Sequence, residues 1–425
     1  MRDRPIEERD ASEQRAFALV VVKRLREAGY ESLWAGGCVR DELLKRRPKD
    51  YDVATNARPE QVQIVFGPKR THAIGAAFGV IAVIGTRRQG MVEVTTFRHD
   101  ERYSDGRRPD SLTFGTAEND AQRRDFTING LFFDPIAERV IDYVGGIADL
   151  NAGVLRAIGD ARARFNEDKL RMLRAVRMAS TFGFVIDPAT EAAMRAMAAE
   201  VTVISAERIA QELRMMLVLE RRRRALELLR TSGLLDAVLA EIAAIDEASW
   251  ELALAVVDAL PHVSFPLVMA SLFAERNDLE AGALHELVNR ACRRLKLSNE
   301  ERHRIEWLVR HRDDLVDADT LPWSRVQRLL IAGGAEDLVD LHEARARVQG
   351  TSLDAVEFCR GKLRLPAEVL NPPPLLGGDE LIAHGVPQGP HYAEVLEVVR
   401  NAQLDGEVQT HGEALAFVDR WLAKR

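Results

Sequence analysis

The chain has 425 residues, 46% of them hydrophobic and 29% charged, with a formal net charge of −7. This is too long for one compact core and predicts about two to four domains. No stretch approaches the roughly 18 apolar residues of a membrane span, and the start is too densely charged for a signal peptide, so the expectation is a cytoplasmic protein with no membrane partner.

In chain order, segment 1–29 predicts an amphipathic N-terminal helix over 12–29 that stops at Gly29. Residues 30–146 alternate short β-rich runs, such as 79–85 and 91–97, with helical pieces at 38–46 and 59–66, and predict a small mixed α/β head. Asp142-Tyr143-Val144-Gly145-Gly146 reads as its final strand and turn. Beyond about residue 147 strand signals fade. Helical periodicity then predicts a neck over 147–235, with one continuous helix over 160–182, followed by a helical body over 236–365. Pro372-Pro373-Pro374 and Gly377-Gly378 mark a break before a helical tail within 366–425. The fold class expected is α+β, a small mixed-sheet head followed by all-α neck, body and tail.

The negative total does not describe a nucleic-acid binder, but arginines cluster locally at Arg107-Arg108, Arg123-Arg124, Arg171/Arg174/Arg177, Arg221 to Arg224 and Arg293-Arg294. Cys38, Cys292 and Cys359 are widely spaced, which predicts reduced thiols with no disulfide and no zinc site.

Chemistry concentrates first in Gly36-Gly37-Cys38-Val39-Arg40-Asp41, followed by Asp50-Tyr51-Asp52. In an extended strand, side chains two apart leave the same face about 6–7 Å from each other, so Asp50 and Asp52 converge while Tyr51 turns away. Such a pair suits Mg²⁺, which takes few carboxylates and fills its remaining positions with phosphate oxygens. Gly36 and Gly37 let the backbone approach those phosphates, and Arg40 supplies matching donors. Glu93, on a neighbouring strand, is the candidate third carboxylate. The charged, turn-prone block from Arg98 to Pro109 predicts a mobile loop. Arg123 and Arg124 can hold a triphosphate, and Asp125 can accept from a ribose hydroxyl; the plainer alternative is a helix N-terminus with paired charges.

Within Glu167-Asp168-Lys169-Leu170-Arg171-Met172-Leu173-Arg174-Ala175-Val176-Arg177, 100° per residue puts Met172, Leu173 and Val176 on one side. Arg171, Arg174 and Arg177 wind along the other, with Asp168 at its edge. A carboxylate accepts from the exocyclic amino group of cytosine or adenine, and a guanidinium donates to the adjacent ring acceptor. Guanine and uracil present oxygens there instead. Asp168 and Arg171 can therefore select C and A without a template.

These blocks together, with Ser205-Ala206-Glu207-Arg208-Ile209 and Glu212, resemble the class II tRNA nucleotidyltransferase (CCA-adding enzyme) and bacterial poly(A) polymerase family over residues 30–235. The resemblance implies Mg²⁺ on Asp50 and Asp52, triphosphate contacts from Gly37 and Arg40, and sugar contacts from Arg124 and Asp125. It assigns the base edge to Asp168 and Arg171, and further nucleotide contacts to Arg174 and Arg177. Its implied activity is addition of CCA to tRNA 3′ ends from CTP and ATP. CC-only or A-only addition, polyadenylation, and an inactive RNA-binding protein of the same fold are the alternatives. Two departures stand out: Lys45 replaces a frequent Gly after Leu43-Leu44, which predicts an altered helix end, and 74–80 lacks the basic pair and histidine of the polyadenylating branch.

Overall fold

The computed structural model describes residues 11–75, 79–100, 112–386, 389 and 391–423. Residues 76–78 of the second departure, and 101–109 of the expected loop with Arg107 and Arg108, lie outside these. Contacts divide the chain into two compact units, Met1–Ala240 and Glu241–Arg425.

In the first unit, helix α1 (Ala11–Glu27) buries Ala18, Val21, Val22 and Leu25 along one stripe, the helical spacing of an amphipathic element. Gly29 ends it at φ +86°, a left-handed conformation that glycine adopts without Cβ strain. The head is a seven-stranded mixed sheet built from β1 (Ser32–Ala35), β2 (Asp52–Thr55), β3 (Thr71–Gly75), β4 (Val80–Ile84), β5 (Met91–Thr96), β8 (Leu131–Asp134) and β9 (Arg139–Asp142). Its order is β3-β4-β5-β2-β1-β8-β9. A separate ribbon pairs β6 (Arg98–Asp100) with β7 (Leu112–Phe114). Every neighbouring pair in the large sheet is antiparallel except β2 and β5, which run parallel with Asp52 opposite Glu93. Alternation along β5 buries Val92, Val94 and Thr96 and turns Glu93 and Thr95 to the opposite face. β1 is buried at all four positions, as the centre of a covered sheet requires.

Helices α2 (Gly37–Leu43), α3 (Pro59–Phe66) and α4 (Ala117–Gln122) complete the head. After α2, Lys45 adopts φ +54° where glycine would be unstrained, so the departure noted in the sequence falls on a left-handed helix exit. At the end of β9, Asp142 accepts four backbone N–H groups, from Val144, Gly145, Gly146 and Ile147, and so starts α5 (Gly146–Ala152).

The neck holds α6 (Ala161–Glu167), α7 (Leu170–Phe182), α8 (Pro188–Met197), α9 (Ala206–Leu217), α10 (Arg222–Thr231) and α11 (Leu234–Val238), with a parallel pair, β10 (Val154–Leu155) and β11 (Val185–Ile186). The single helix expected over 160–182 is two. Asp168 is extended at φ −151° and its carboxylate accepts from the Leu170 N–H, so the chain breaks and a new helix starts. Periodicity survives such a break because both pieces bury apolar residues, Phe165 in one and Met172, Leu173 and Val176 in the other.

The second unit is helical throughout its described length. The helix Phe265–Ala274 is apolar all round, with Leu267 through Ala274 fully buried, which identifies it as a central helix. Helices Gly378–Ala383, His391–Leu404 and His411–Leu422 close around Leu381, Val395, Val399, Ala414 and Val418. No helix among the described residues is long and apolar enough to cross a membrane.

Candidate active site

A cavity of about 590 Å³ opens between the sheet and the neck. Eleven of the expected residues line it: Gly36, Gly37, Arg40, Asp52, Glu93, Arg123, Arg124, Asp125, Asp168, Arg171 and Arg174. Its volume is that of a small-molecule site, and its lining combines four carboxylates, of Asp52, Glu93, Asp125 and Asp168, with a larger set of guanidinium groups.

Asp52 and Glu93 face each other from adjacent parallel strands. Asp50 is exposed on the extended lead-in to β2 and does not line the cavity, yet its charge acts on both neighbours. Burial, then the charges of Asp50 and Glu93, push Asp52 up to about 7 against the opposing pull of Arg124. Burial and Asp50 also raise Glu93. Among the described residues no group of three or more His, Cys, Asp or Glu side chains that could hold a metal ion is found. The donor set nevertheless fits a hard divalent cation that takes one or two carboxylates and completes its shell from substrate phosphates. The crowding of Asp52 by Asp50 and Glu93 is what such an ion would relieve.

The glycine turn is shaped by what crosses it. Gly36 has φ +73°, its N–H donates to Leu131 O, and a Cβ there would stand 2.5 Å from Arg124 Nη1. Arg40, one turn into α2, donates to Asp41 and to the Asn129 side chain, and its guanidinium stacks 4.5 Å from the Phe182 ring centroid.

Arg123, Arg124 and Asp125 sit at the C-terminal end of α4, not at a helix N-terminus. Both arginines converge on Asp120, a fully buried carboxylate; Arg123 binds one oxygen and Arg124 the other at 2.9 Å. Burial alone would raise Asp120, but the Arg124 and Arg123 charges and hydrogen bonds hold it below its ordinary value. Asp125 is tied across the site. One oxygen takes both Nε and Nη2 of Arg174 at 2.9 and 2.7 Å, and the other accepts from Phe126 N and Asn129 Nδ2. Against the effect of burial, Arg174 and these bonds keep Asp125 well below the usual carboxylate range. A ribose hydroxyl reaching it must share those acceptors.

Asp168 lies at the entrance of α7 rather than on it, and its second oxygen accepts from Arg208 Nη2 at 2.7 Å. Arg171 is held by Glu167 at 2.6 Å and by the carbonyls of Arg164 and Arg123, which leaves its remaining N–H groups for a ligand. Arg177, expected beside Arg174, does not line the cavity; α7 carries it round to Glu212 of α9 at 2.6 Å. Sequence reasoning missed Asn129, Arg208 and Arg98 as lining residues. Arg208 and Arg98 stood within runs already singled out, but no local spacing marks a partner that arrives from another element.

Comparison with known proteins agrees with this geometry. The poly A polymerase head domain matches residues 33–156, and the probable RNA and SrmB-binding site of polymerase A matches 183–246. Fold and site thus define a nucleotidyltransferase. The CCA-adding enzyme of Lactobacillus gasseri is 32% identical over 409 residues, covering 94% of this chain and 95% of the relative. Poly(A) polymerase I of Haemophilus influenzae is 37% identical, but over 52% of this chain and 50% of its own. A solved structure of the Bacillus stearothermophilus CCA-adding enzyme in complex with CTP superposes with a TM-score of 0.77 at 29% identity, covering 96% of this chain and 97% of that one. The chain belongs to the CCA-adding enzyme family.

Proposed function

We propose that this protein adds CCA to the 3′ end of tRNA from CTP and ATP, without a template and with release of pyrophosphate. The observation that carries the reading is a single cavity in which Asp52 and Glu93 face Arg40, Arg123 and Arg124, with Asp168 and Arg171 on its wall. The 3′-terminal hydroxyl oxygen of the RNA forms a bond to the α-phosphorus as the bond to the pyrophosphate oxygen breaks. Asp50 and Asp52 would hold Mg²⁺, which would ease loss of the attacking hydroxyl's proton to solvent and offset charge on the leaving pyrophosphate. Glu93 adds negative charge beside them. Gly36 and Gly37 admit the triphosphate to the α2 backbone, while Arg40, Arg123 and Arg124 neutralise it. Asp125 and Arg174 act as a pair at the sugar.

Asp168 accepts from the amino group of cytosine or adenine, and Arg171 donates to the neighbouring ring acceptor. Arg208 holds that carboxylate in place. Similarity to CCA-adding enzymes along nearly the whole chain, against half for poly(A) polymerase I, favours tRNA over an unstructured RNA.

The test uses purified protein with tRNA transcripts lacking all three terminal nucleotides, lacking only the last, or complete, each with labelled CTP or ATP. Stepwise addition that stops at the complete end is expected. A long adenylate ladder on unstructured RNA would turn the reading to polyadenylation, and RNA binding without incorporation would leave an inactive binding protein.

A further inference from the structure

Asp52 is locked by its strand, since β2 is flanked by β1 and β5 in fixed register. Asp50 has no such support. It lies outside the ladder, exposed, at the end of the 44–51 connection from α2. Arg46 ties the middle of that connection to Thr181 and Phe182, and the residue between the two acids anchors its end. Tyr51 is 5% exposed and turns to the opposite side of the chain, where its ring meets Trp34 of β1 edge-on at 5.0 Å. Its hydroxyl donates to Glu42 Oε1 at 2.6 Å. That oxygen also accepts from Arg15 Nε of α1 at 2.9 Å, and the Arg15 guanidinium lies 4.9 Å above the Trp34 ring. Arg15, Trp34, Glu42 and Tyr51 therefore close a ring of contacts drawn from α1, β1, α2 and the connection itself.

We propose that Tyr51, anchored by Glu42 and Trp34, is a positioning residue that sets the place of the Asp50 carboxylate for a divalent cation. The inference rests on the metal reading of Asp50 and Asp52 given above. Asp50 and Tyr51 are adjacent in the chain, so a shift of the Tyr51 backbone carries Asp50 with it. Carboxylate ligands require partners that fix their orientation, and loss of such a partner weakens metal binding without removing a ligand. Glu42 belongs to the same helix as Arg40, so the helix that meets the phosphates also anchors the carboxylate segment.

The full chain with CTP and without RNA is titrated with Mn²⁺ and followed by electron paramagnetic resonance, alongside the Mg²⁺ dependence of cytidylate incorporation. Tyr51→Phe keeps the ring and removes the hydroxyl. It is expected to weaken Mn²⁺ binding roughly tenfold and to raise the Mg²⁺ requirement in parallel, with kcat and the KM for CTP at saturating Mg²⁺ close to wild type. Glu42→Gln retains an acceptor and should recover most of the affinity. Wild-type Mn²⁺ binding in Tyr51→Phe, or a raised KM for CTP with unchanged metal binding, overturns the proposal. Should Tyr51→Phe fail to fold, Glu42→Ala carries the same expectation with the ring in place. Asp52→Ala is the separate control: undiminished Mn²⁺ affinity in that variant overturns the metal reading itself.

Discussion

Asp52 and Glu93 stand opposite each other on the only parallel strand pair of the described large sheet, so two carboxylates of like charge are pressed together beside a third, Asp50. The arrangement costs stability when all three are ionised.

That cost has a pH sign. Asp52 rises from an ordinary 3.8 to about 7, so the folded chain keeps a proton that the unfolded chain has released. Stability of the metal-free protein therefore falls as pH rises between those two values. Asp52→Asn is expected to stabilise the protein in a metal chelator at about pH 8 by on the order of 1–3 kcal/mol, seen as a higher melting temperature, with the gain fading toward about pH 4. The same variant should lose incorporation. Thermal melts across pH check the first part; a variant no more stable than wild type at the higher pH refutes it.

Gly36→Ala meets both a positive φ and the Arg124 guanidinium at 2.5 Å. The expected result is a protein destabilised by about 1–3 kcal/mol, with the KM for CTP raised because Arg124 must leave its place. Steady-state kinetics and denaturant titration together separate the two effects.

Loss of Asp120 should be felt through the arginines it holds. Asp120→Ala leaves Arg123 and Arg124 without their shared buried partner and is expected to cost roughly 3–5 kcal/mol. Asp120→Asn keeps the shape and should fold better while still binding CTP more weakly than wild type. Equal nucleotide affinity in the Asn variant would show that the two guanidiniums need no carboxylate to aim them.

Arg171 and Arg177 lie six residues apart on α7, which is not a whole number of turns, and should behave differently. Arg171→Ala is expected to narrow the preference for CTP over UTP by about tenfold or more, because the base edge loses its donor. Arg177→Ala removes the tie to Glu212 and should lower stability while leaving selectivity unchanged. Competition assays with paired nucleotides decide; altered selectivity in Arg177→Ala would return that residue to the nucleotide site.

Lys45→Gly should stabilise the protein by about 0.5–1 kcal/mol without changing kcat, since glycine accepts φ +54° without the Cβ clash that lysine bears. Chemical denaturation measures it.

The amino-acid order by itself determined the glycine pair before Asp52, the alternating strand of Glu93 and most helices of both units. All of these rest on contacts within a few residues, which periodicity of two or 3.6 reports directly. It also located Arg171, Arg174 and Arg177 on one segment. Only the tertiary structure decided that Arg174 turns to Asp125, 49 residues earlier, that Arg208 reaches Asp168 from α9, and that Arg177 leaves the cavity for Glu212. The break at Asp168 was equally hidden, because a carboxylate that caps a new helix and one that rides on a continuous helix have the same neighbours in sequence. Which charge meets which is settled by packing between elements, and that has no period along the chain.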